Sequence, residues 1–178
     1  MTEVTTHDKT FRLMIPEADI YTRVKAMGIE ISADYLGKKP LLIAILNGSF
    51  IFAADLMRAI DIDCEISFVK LASYKGIGST GTVQTVLGLD TSLVGRHIII
   101  VEDIIDTGNT LNKFLKALEQ EAPASIALAC CFHKPDALKH PLSIDYCGFD
   151  IPNKYIVGYG LDYDGLGRNY AAVYQLAE

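Results

Sequence analysis

An uninterrupted β-branched run at residues 98–101 (Ile-Ile-Ile-Val) leads straight into Glu102 and Asp103, and this junction constrains the chain more than any other stretch. A segment that is apolar at every position belongs to a strand covered on both faces, as in a parallel sheet with helices above and below. Beyond it, Asp106-Thr107-Gly108-Asn109-Thr110 forms a small polar loop, and Leu111, Phe114, Leu115 and Leu118 then recur at helical spacing. The order is strand, acidic lip, loop, helix. Open α/β sheets bind ligands at the carboxyl ends of their strands, and the N–H groups of a loop entering a helix suit a phosphate. Carboxylates beside such a loop would repel a bare phosphate. A phosphorylated sugar resolves the conflict, with the acids on its hydroxyls and the loop on its phosphate.

The same grammar recurs. Residues 11–15 read as a short edge strand, and Ile20, Val24, Met27 and Ile31 lay out a helix closed by Gly37 and Pro40. Residues 41–46 form a buried strand that ends in Asn47-Gly48-Ser49, after which Phe50, Ala53, Ala54 and Met57 mark a helix. A further strand covers residues 64–71. Gly76, Gly78 and Gly81 then spell a literal G-x-G-x-x-G. A dinucleotide fingerprint requires a helix directly after the glycines, whereas residues 82–88 are β-rich, so that reading is rejected. A hairpin whose glycines suit a moving lid over residues 73–82 fits better. Residues 125–132 supply another buried strand, followed by Lys134-Pro135, and residues 170–176 read as the last strand.

The chain has 178 residues, 50% of them hydrophobic, enough for one full core and short for two, so one domain spanning 1–178 is expected. A net charge of -6 does not suggest nonspecific attraction to nucleic acid. No apolar run approaches membrane-spanning length, and residues 1–8 lack the basic and apolar regions of a signal peptide. A soluble cytoplasmic protein is expected. Cys64, Cys130, Cys131 and Cys147 form no C-x-x-C pair and read as reduced core residues. Cys130, Cys131 and His133 are set aside as metal ligands, because neighbouring strand residues point to opposite faces and no fourth partner has sensible spacing.

Residues 101–111 closely resemble the phosphoribosyl pyrophosphate signature of type I phosphoribosyltransferases, two acids followed by Asp-Thr-Gly-x-Thr. The stretch Leu46-Asn47-Gly48-Ser49 is similar to the pyrophosphate loop of the hypoxanthine-guanine members. Where some members carry lysine, Asn47 offers only an amide, which leaves charge neutralisation to metal and arginine. Ser73-Tyr74 matches the start of the family's catalytic loop. Lys134 falls at the register of a lysine that contacts the exocyclic oxygen of a 6-oxopurine. Residues 148–163 resemble the purine-recognition block. Arg168 matches the pyrophosphate-binding arginine, although Gly165-Leu166-Gly167 replaces the aromatic residues common in mammalian relatives. The resemblance covers residues 41–168.

What the resemblance implies is specific. The fold is α/β, a central and mostly parallel sheet flanked by helices, with a small hood made from N-terminal residues and roughly 134–178. The reaction joins hypoxanthine, and guanine too, to the 5-phosphoribosyl group of 5-phospho-α-D-ribose 1-diphosphate with release of diphosphate. Glu102 and Asp103 hold the ribose hydroxyls, and with Asp162 they bind Mg2+. Thr107, Gly108, Asn109 and Thr110 take the 5-phosphate, while Asn47, Gly48 and Arg168 attend the pyrophosphate. Asp106 stands at N7 of the purine as general base or acid, with Ser73 and Tyr74 in the catalytic lid. Lys134, Tyr155, Ile156 and Asp162 read the base. A homodimer or homotetramer is expected, with small-molecule substrates as the only other partners. The rivals are a xanthine-guanine enzyme, an RNA-binding regulator that senses nucleotides on the same fold, and a phosphoribosyl pyrophosphate synthase subunit. The acidic charge balance weighs against the regulator, and the short chain against the synthase.

Overall fold

A computed structural model describes residues 2–72, 84–87 and 92–177. Ten strands and three α-helices are assigned among them: β1 (Glu3–Thr6), β2 (Lys9–Ile15), α1 (Glu17–Asp34), β3 (Leu41–Leu46), α2 (Phe50–Ala59), β4 (Glu65–Ala72), β5 (Gln84–Leu87), β6 (His97–Ile105), α3 (Asn109–Glu119), β7 (Ser125–His133), β8 (Tyr146–Asp150), β9 (Ile156–Val157) and β10 (Val173–Leu176). The main sheet has the order β5-β4-β3-β6-β7-β8. Its five strands from β4 to β8 run parallel, and β5 closes one edge antiparallel to β4.

β3 and β6 lie in the interior of this sheet, which is why residues 41–46 and 98–101 are apolar throughout. Leu42, Ala44, Ile99 and Val101 pack with Ile20, Val24, Met27 and Ile31 of α1 and with Phe52 and Leu56 of α2. Leu41, Ile43, Ile98 and Ile100 pack with Leu111, Phe114 and Leu118 of α3. Helices thus cover both faces of the sheet. The acids expected just beyond β6 lie inside it, because the strand continues through Glu102 and Asp103 to Ile105.

Side-chain alternation fails once, in the same row of three strands. The register runs Glu102↔Cys130↔Cys147 and resumes at Ile104↔Phe132↔Phe149, skipping Asp103, Cys131 and Gly148. Ile104, Phe132 and Phe149 therefore join the α1/α2 face, where Val101 and Cys131 already pack, and Ile105 turns to the α3 face. The pairing offset is the same on both sides of this row, so the three strands change facing together with no shift of register between them.

A second sheet, β1-β2-β10-β9, is antiparallel throughout and buries Val4, Phe11, Val157, Ala172 and Tyr174. Residues 11–15 are not an edge strand: β2 lies between β1 and β10, and β1 is the edge. β8, within the 134–178 range expected of the hood, belongs to the main sheet. The buried stripe of α2 is Phe52, Ala53 and Leu56, one position off the expected stripe, and Phe50 and Ala54 are exposed. The final strand begins at Val173, not at residue 170. Among the described residues no helix is long and apolar enough to cross a membrane.

The two helices on one face touch through Gly28, where a Cβ would fall 2.5 Å from the backbone of Ala59. Alanine gains roughly 1 kcal/mol over glycine in a helix interior, but overpacking against backbone costs about 1 to 3 kcal/mol. Gly28→Ala should therefore lower the urea midpoint at unchanged slope. A raised midpoint would show that the helices part freely.

Candidate active site

The carboxyl end of β6 meets the loop after β3. A Cβ on Gly48 would fall 1.5 Å from Asp103 Oδ2, so only glycine lets that carboxylate lie on the loop backbone. Glu102 leaves the strand on the opposite side, the side of its register partner Cys130. Its Oε2 is buried and has no hydrogen-bond partner. Burial, and then the charge of Asp103, pushes the Glu102 carboxyl well above the ordinary range. Asp103 is pushed up to about 6, chiefly by burial, with Asp162 adding to the rise. The Ile104 N–H, which donates to Asp103 Oδ1 at 2.8 Å, and the Arg168 guanidinium oppose it.

The loop at 106–110 turns through Gly108, whose φ of 72° is left-handed and whose missing Cβ leaves space for Leu142 and Leu138. Gly108 has no side chain to cap α3, and the Asn109 N–H meets the Thr107 hydroxyl oxygen only at 3.5 Å. The first N–H groups of that helix, from Asn109 and Thr110 onward, lack intrahelical partners by geometry and form an anion-binding turn. The loop is tied outward: Lys139 N–H donates to the Thr107 carbonyl at 3.1 Å, and His140 Nε2 lies 2.8 Å from Asn109 Oδ1. Asp106 Oδ2 accepts from Lys134 Nζ at 3.3 Å. Lys134 is only 7% exposed, and its own N–H donates to the Ile105 carbonyl, so the end of β6 positions both partners.

The chain returns over this site after β8. Tyr155 is 49% exposed, its hydroxyl donates to the Asp162 carbonyl at 2.9 Å, and its ring meets those of Tyr163 and Phe11. Ile156 is buried at the start of β9, paired with Gln175. Asp162 has both oxygens engaged, Oδ1 with Arg168 Nη2 at 2.6 Å and Oδ2 with the Gly165 N–H at 2.7 Å. Arg168 Nη1 also donates to the Gly160 carbonyl at 2.7 Å. A Cβ on Gly160 would fall 2.1 Å from the Gly48 carbonyl, so this return segment lies against the loop after β3.

Residues far apart in the chain are thus brought into local groups: Asp103 with Gly48, Asp162 with Arg168 and Tyr155, and Asp106 with Lys134. Asn47 follows a cis peptide bond and is exposed. Ser73, Tyr74 and the expected lid at 73–82 lie outside the described residues. Sequence reasoning missed Gly160, Phe11, Tyr163, Leu138 and Leu142. The spacing of Gly158 and Gly160, both at positive φ, is the one local signal that pointed to a close backbone approach.

A parallel sheet that ends in buried acids, beside an uncapped helix start, is the architecture of the phosphoribosyltransferases. The family model for the phosphoribosyl transferase domain matches residues 17–164. The hypoxanthine-guanine phosphoribosyltransferase of Streptococcus agalactiae serotype V is 40% identical over 168 residues, 94% of this chain and 93% of that protein. The hypoxanthine-guanine-xanthine phosphoribosyltransferase of Tritrichomonas foetus is 36% identical over 179 residues, 100% of this chain and 98% of that protein. Among solved structures, a hypoxanthine phosphoribosyltransferase from Staphylococcus aureus superposes with a TM-score of 0.89 at 35% identity, covering 93% of this chain and 91% of that one. The chain belongs to the hypoxanthine-guanine phosphoribosyltransferase family.

The raised carboxyl of Asp103 has a stability consequence. Between the unfolded value near 3.8 and the folded value of about 6 the native state holds a proton that the unfolded chain has lost, so stability falls as pH rises through that window. The loss is about 2 to 3 kcal/mol and is complete above pH 6. Denaturant melts of Asp103→Asn between pH 4 and 7 should lack this fall relative to the parent protein. Parallel profiles would refute the assignment.

Proposed function

We propose that this chain is a purine-salvage pentosyltransferase that moves the 5-phosphoribosyl group of 5-phospho-α-D-ribose 1-diphosphate onto hypoxanthine, and onto guanine, with release of diphosphate. The observation that carries this reading is the buried Lys134, 3.3 Å from Asp106. It joins the group that would recognise a 6-oxo oxygen to the loop that would hold the ribose phosphate. A lysine is almost never buried without such a task.

The chemistry follows from charge. As the bond from C1′ to pyrophosphate breaks, positive charge grows on the sugar and negative charge on the leaving group, and N9 of the purine forms the new bond to C1′. Asp106 accepts the proton that the base gives up at N7. Glu102 and Asp103 hold the ribose hydroxyls and lie close to the developing cation. Thr107, Gly108, Asn109 and Thr110 hold the 5-phosphate through N–H and hydroxyl donors. Tyr155 stacks on the base, the main chain at Ile156 reads its edge, and Lys134 donates to its 6-oxygen. Arg168, engaged by Asp162 in the ligand-free chain, exchanges that partner for pyrophosphate, assisted by the Asn47-Gly48 loop. Ser73 and Tyr74, outside the described residues, are assigned to catalysis on the sequence resemblance alone.

The acids fit Mg2+: all are hard oxygen donors, Glu102 Oε2 has no partner, and burial disfavours the charge on Glu102 and Asp103 until a cation neutralises it. Glu102, Asp103 and, once released by Arg168, Asp162 would hold the ion. When bound, Mg2+ neutralises phosphate oxygens and stabilises the departing pyrophosphate. The reading includes a cytoplasmic location, consistent with four free cysteines, and a homodimer or homotetramer.

A second reading, turnover of xanthine, is kept by one observation: the 36%-identical relative from Tritrichomonas foetus whose name includes that base. Asp162 and the nearby carbonyls accept hydrogen bonds, which suits the 2-amino group of guanine better than the 2-oxygen of xanthine. Hypoxanthine, guanine, xanthine and adenine supplied separately with 5-phospho-α-D-ribose 1-diphosphate and Mg2+ decide between them, and faster turnover of xanthine would overturn the choice. Asp106→Ala should lower kcat by about 10² to 10⁴ with the fold intact. Near-normal turnover would remove Asp106 from the mechanism.

A further inference from the structure

On the α3 side of β7 and β8, beneath Glu102, three potential metal ligands that the transfer reaction does not use converge, His133, Cys147 and Asp150, with Cys130 next to Cys147. They form two pairs of equal spacing, Cys130-x-x-His133 on β7 and Cys147-x-x-Asp150 on β8, in register with each other. On a regular strand, residues three apart face opposite sides. The shared change of facing at Cys131 and Gly148 brings Asp150 Oδ1 to Cys147 Sγ and to His133 Nδ1, which defeats the strand-alternation argument against a metal here.

The distances place His133, Cys147 and Asp150 around one point, with Cys130 adjoining through Cys147. Cys130 Sγ lies 3.9 Å from Cys147 Sγ, Cys147 Sγ lies 3.7 Å from Asp150 Oδ1, and His133 Nδ1 lies 2.7 Å from the same oxygen. One ligand atom each from His133, Cys147 and Asp150 fall within 4.8 Å of one another. Two sulfurs sharing a tetrahedral Zn2+ at bond lengths of about 2.3 Å stand roughly 3.8 Å apart, close to the separation between these cysteines. The other ring nitrogen, His133 Nε2, is buried and has no partner. Burial and sequence make the set accessible and closed at once: Cys130 is fully buried, whereas the Asp150 side chain is 69% exposed and gives an entry path. Cys130 donates to Cys147, which lowers the Cys147 thiol and raises that of Cys130, and the Arg23 guanidinium, bound to the Cys147 carbonyl, favours the same thiolate.

We infer that His133, Cys147 and Asp150, with Cys130 moving in beside Cys147 as the fourth donor, form a site for a thiolate-binding divalent cation of the Zn2+ class, separate from the carboxylates that suit Mg2+. Two thiols, an imidazole and a carboxylate are a donor set for Zn2+ and a poor one for Mg2+. In the metal-free chain, protons hold the donors together. On binding, Zn2+ displaces one proton from each thiol to solvent and breaks the bond between His133 and Asp150, so affinity rises with pH. No electron is transferred.

The test uses the full chain with a non-thiol reductant and saturating Mg2+, titrated with Zn2+ or Co2+ alone. One Zn2+ per chain should bind by equilibrium dialysis, and Co2+ should give thiolate charge-transfer and tetrahedral d–d absorption. Cys147→Ser should abolish the charge-transfer intensity from that sulfur and weaken Zn2+ at least about tenfold. Asp150→Asn, at an exposed position that tolerates change, should weaken Zn2+ with the thiolate band retained, and it keeps the site testable where Cys147→Ser disturbs folding. Absence of a thiolate band in the parent protein, or Zn2+ affinity unchanged in both variants, overturns the site.

Discussion

The contact between the Asp103 carboxylate and the side-chain-free backbone of Gly48 is the constraint on which the rest of the site depends. It joins the ends of adjacent parallel strands, β3 and β6, and it holds a half-buried acid whose carboxyl is pushed up chiefly by burial. Gly160 then rests on the carbonyl of the same Gly48, which brings the hood segment down onto the strand ends. Three chain segments therefore meet through two positions where a methyl group would not fit. Desolvating a carboxylate is costly, so an acid held in this way must be matched by cations or by hydrogen-bond donors. Arg168 and the Ile104 N–H supply part of that match.

Much of this was legible in residue order. β3 and β6 were visible as uniformly apolar runs, because a strand covered on both faces has no reason to alternate. α1 and α3 were visible through residues that recur at helical spacing, and those same residues are the buried ones. The stripe of α2 was misplaced because Phe50 looks like a core residue, yet it stands at the exposed entry of the helix, and Phe52 takes the core position instead. β1 was invisible: Glu-Val-Thr-Thr offers one apolar residue that packs, and its strand character comes from pairing with β2 rather than from its own sequence. Tertiary pairing of this kind overrides local propensity.

The site was legible unevenly. The loop and acids at 102–110 announce themselves, since several carboxylates beside a glycine turn need a ligand to explain them. Lys134 did not: by composition it is a surface lysine, and only family register singled it out. Its burial against Asp106 gives that assignment a physical basis, because a buried ammonium needs the carboxylate it has. Gly160 and Phe11 escaped notice because their roles come from where the hood comes to rest, which depends on β10 pairing with β2 across most of the chain length.

The change of facing shared by β6, β7 and β8 could not be read from residue order at all, and it has the widest effect. Each strand alone shows an unremarkable apolar run, and nothing in Cys130-Cys131-Phe132-His133 marks a change of side. The change of facing is shared by neighbouring strands whose pairing offset does not alter. Gly148 packs where a Cβ would fall 2.3 Å from the Cys131 carbonyl, so the rows are pressed together at that level and the pleat loses its alternation. In β6 the same row contains Asp103, the acid that lies on Gly48. One irregularity therefore connects two consequences on opposite faces of the sheet. On the α1/α2 side it lies at the level of the acid that rests on Gly48. On the α3 side it brings His133 and Asp150 round to Cys130 and Cys147. A regular sheet could not present both sets from these strands, because strict alternation would carry His133 to the face opposite Cys130.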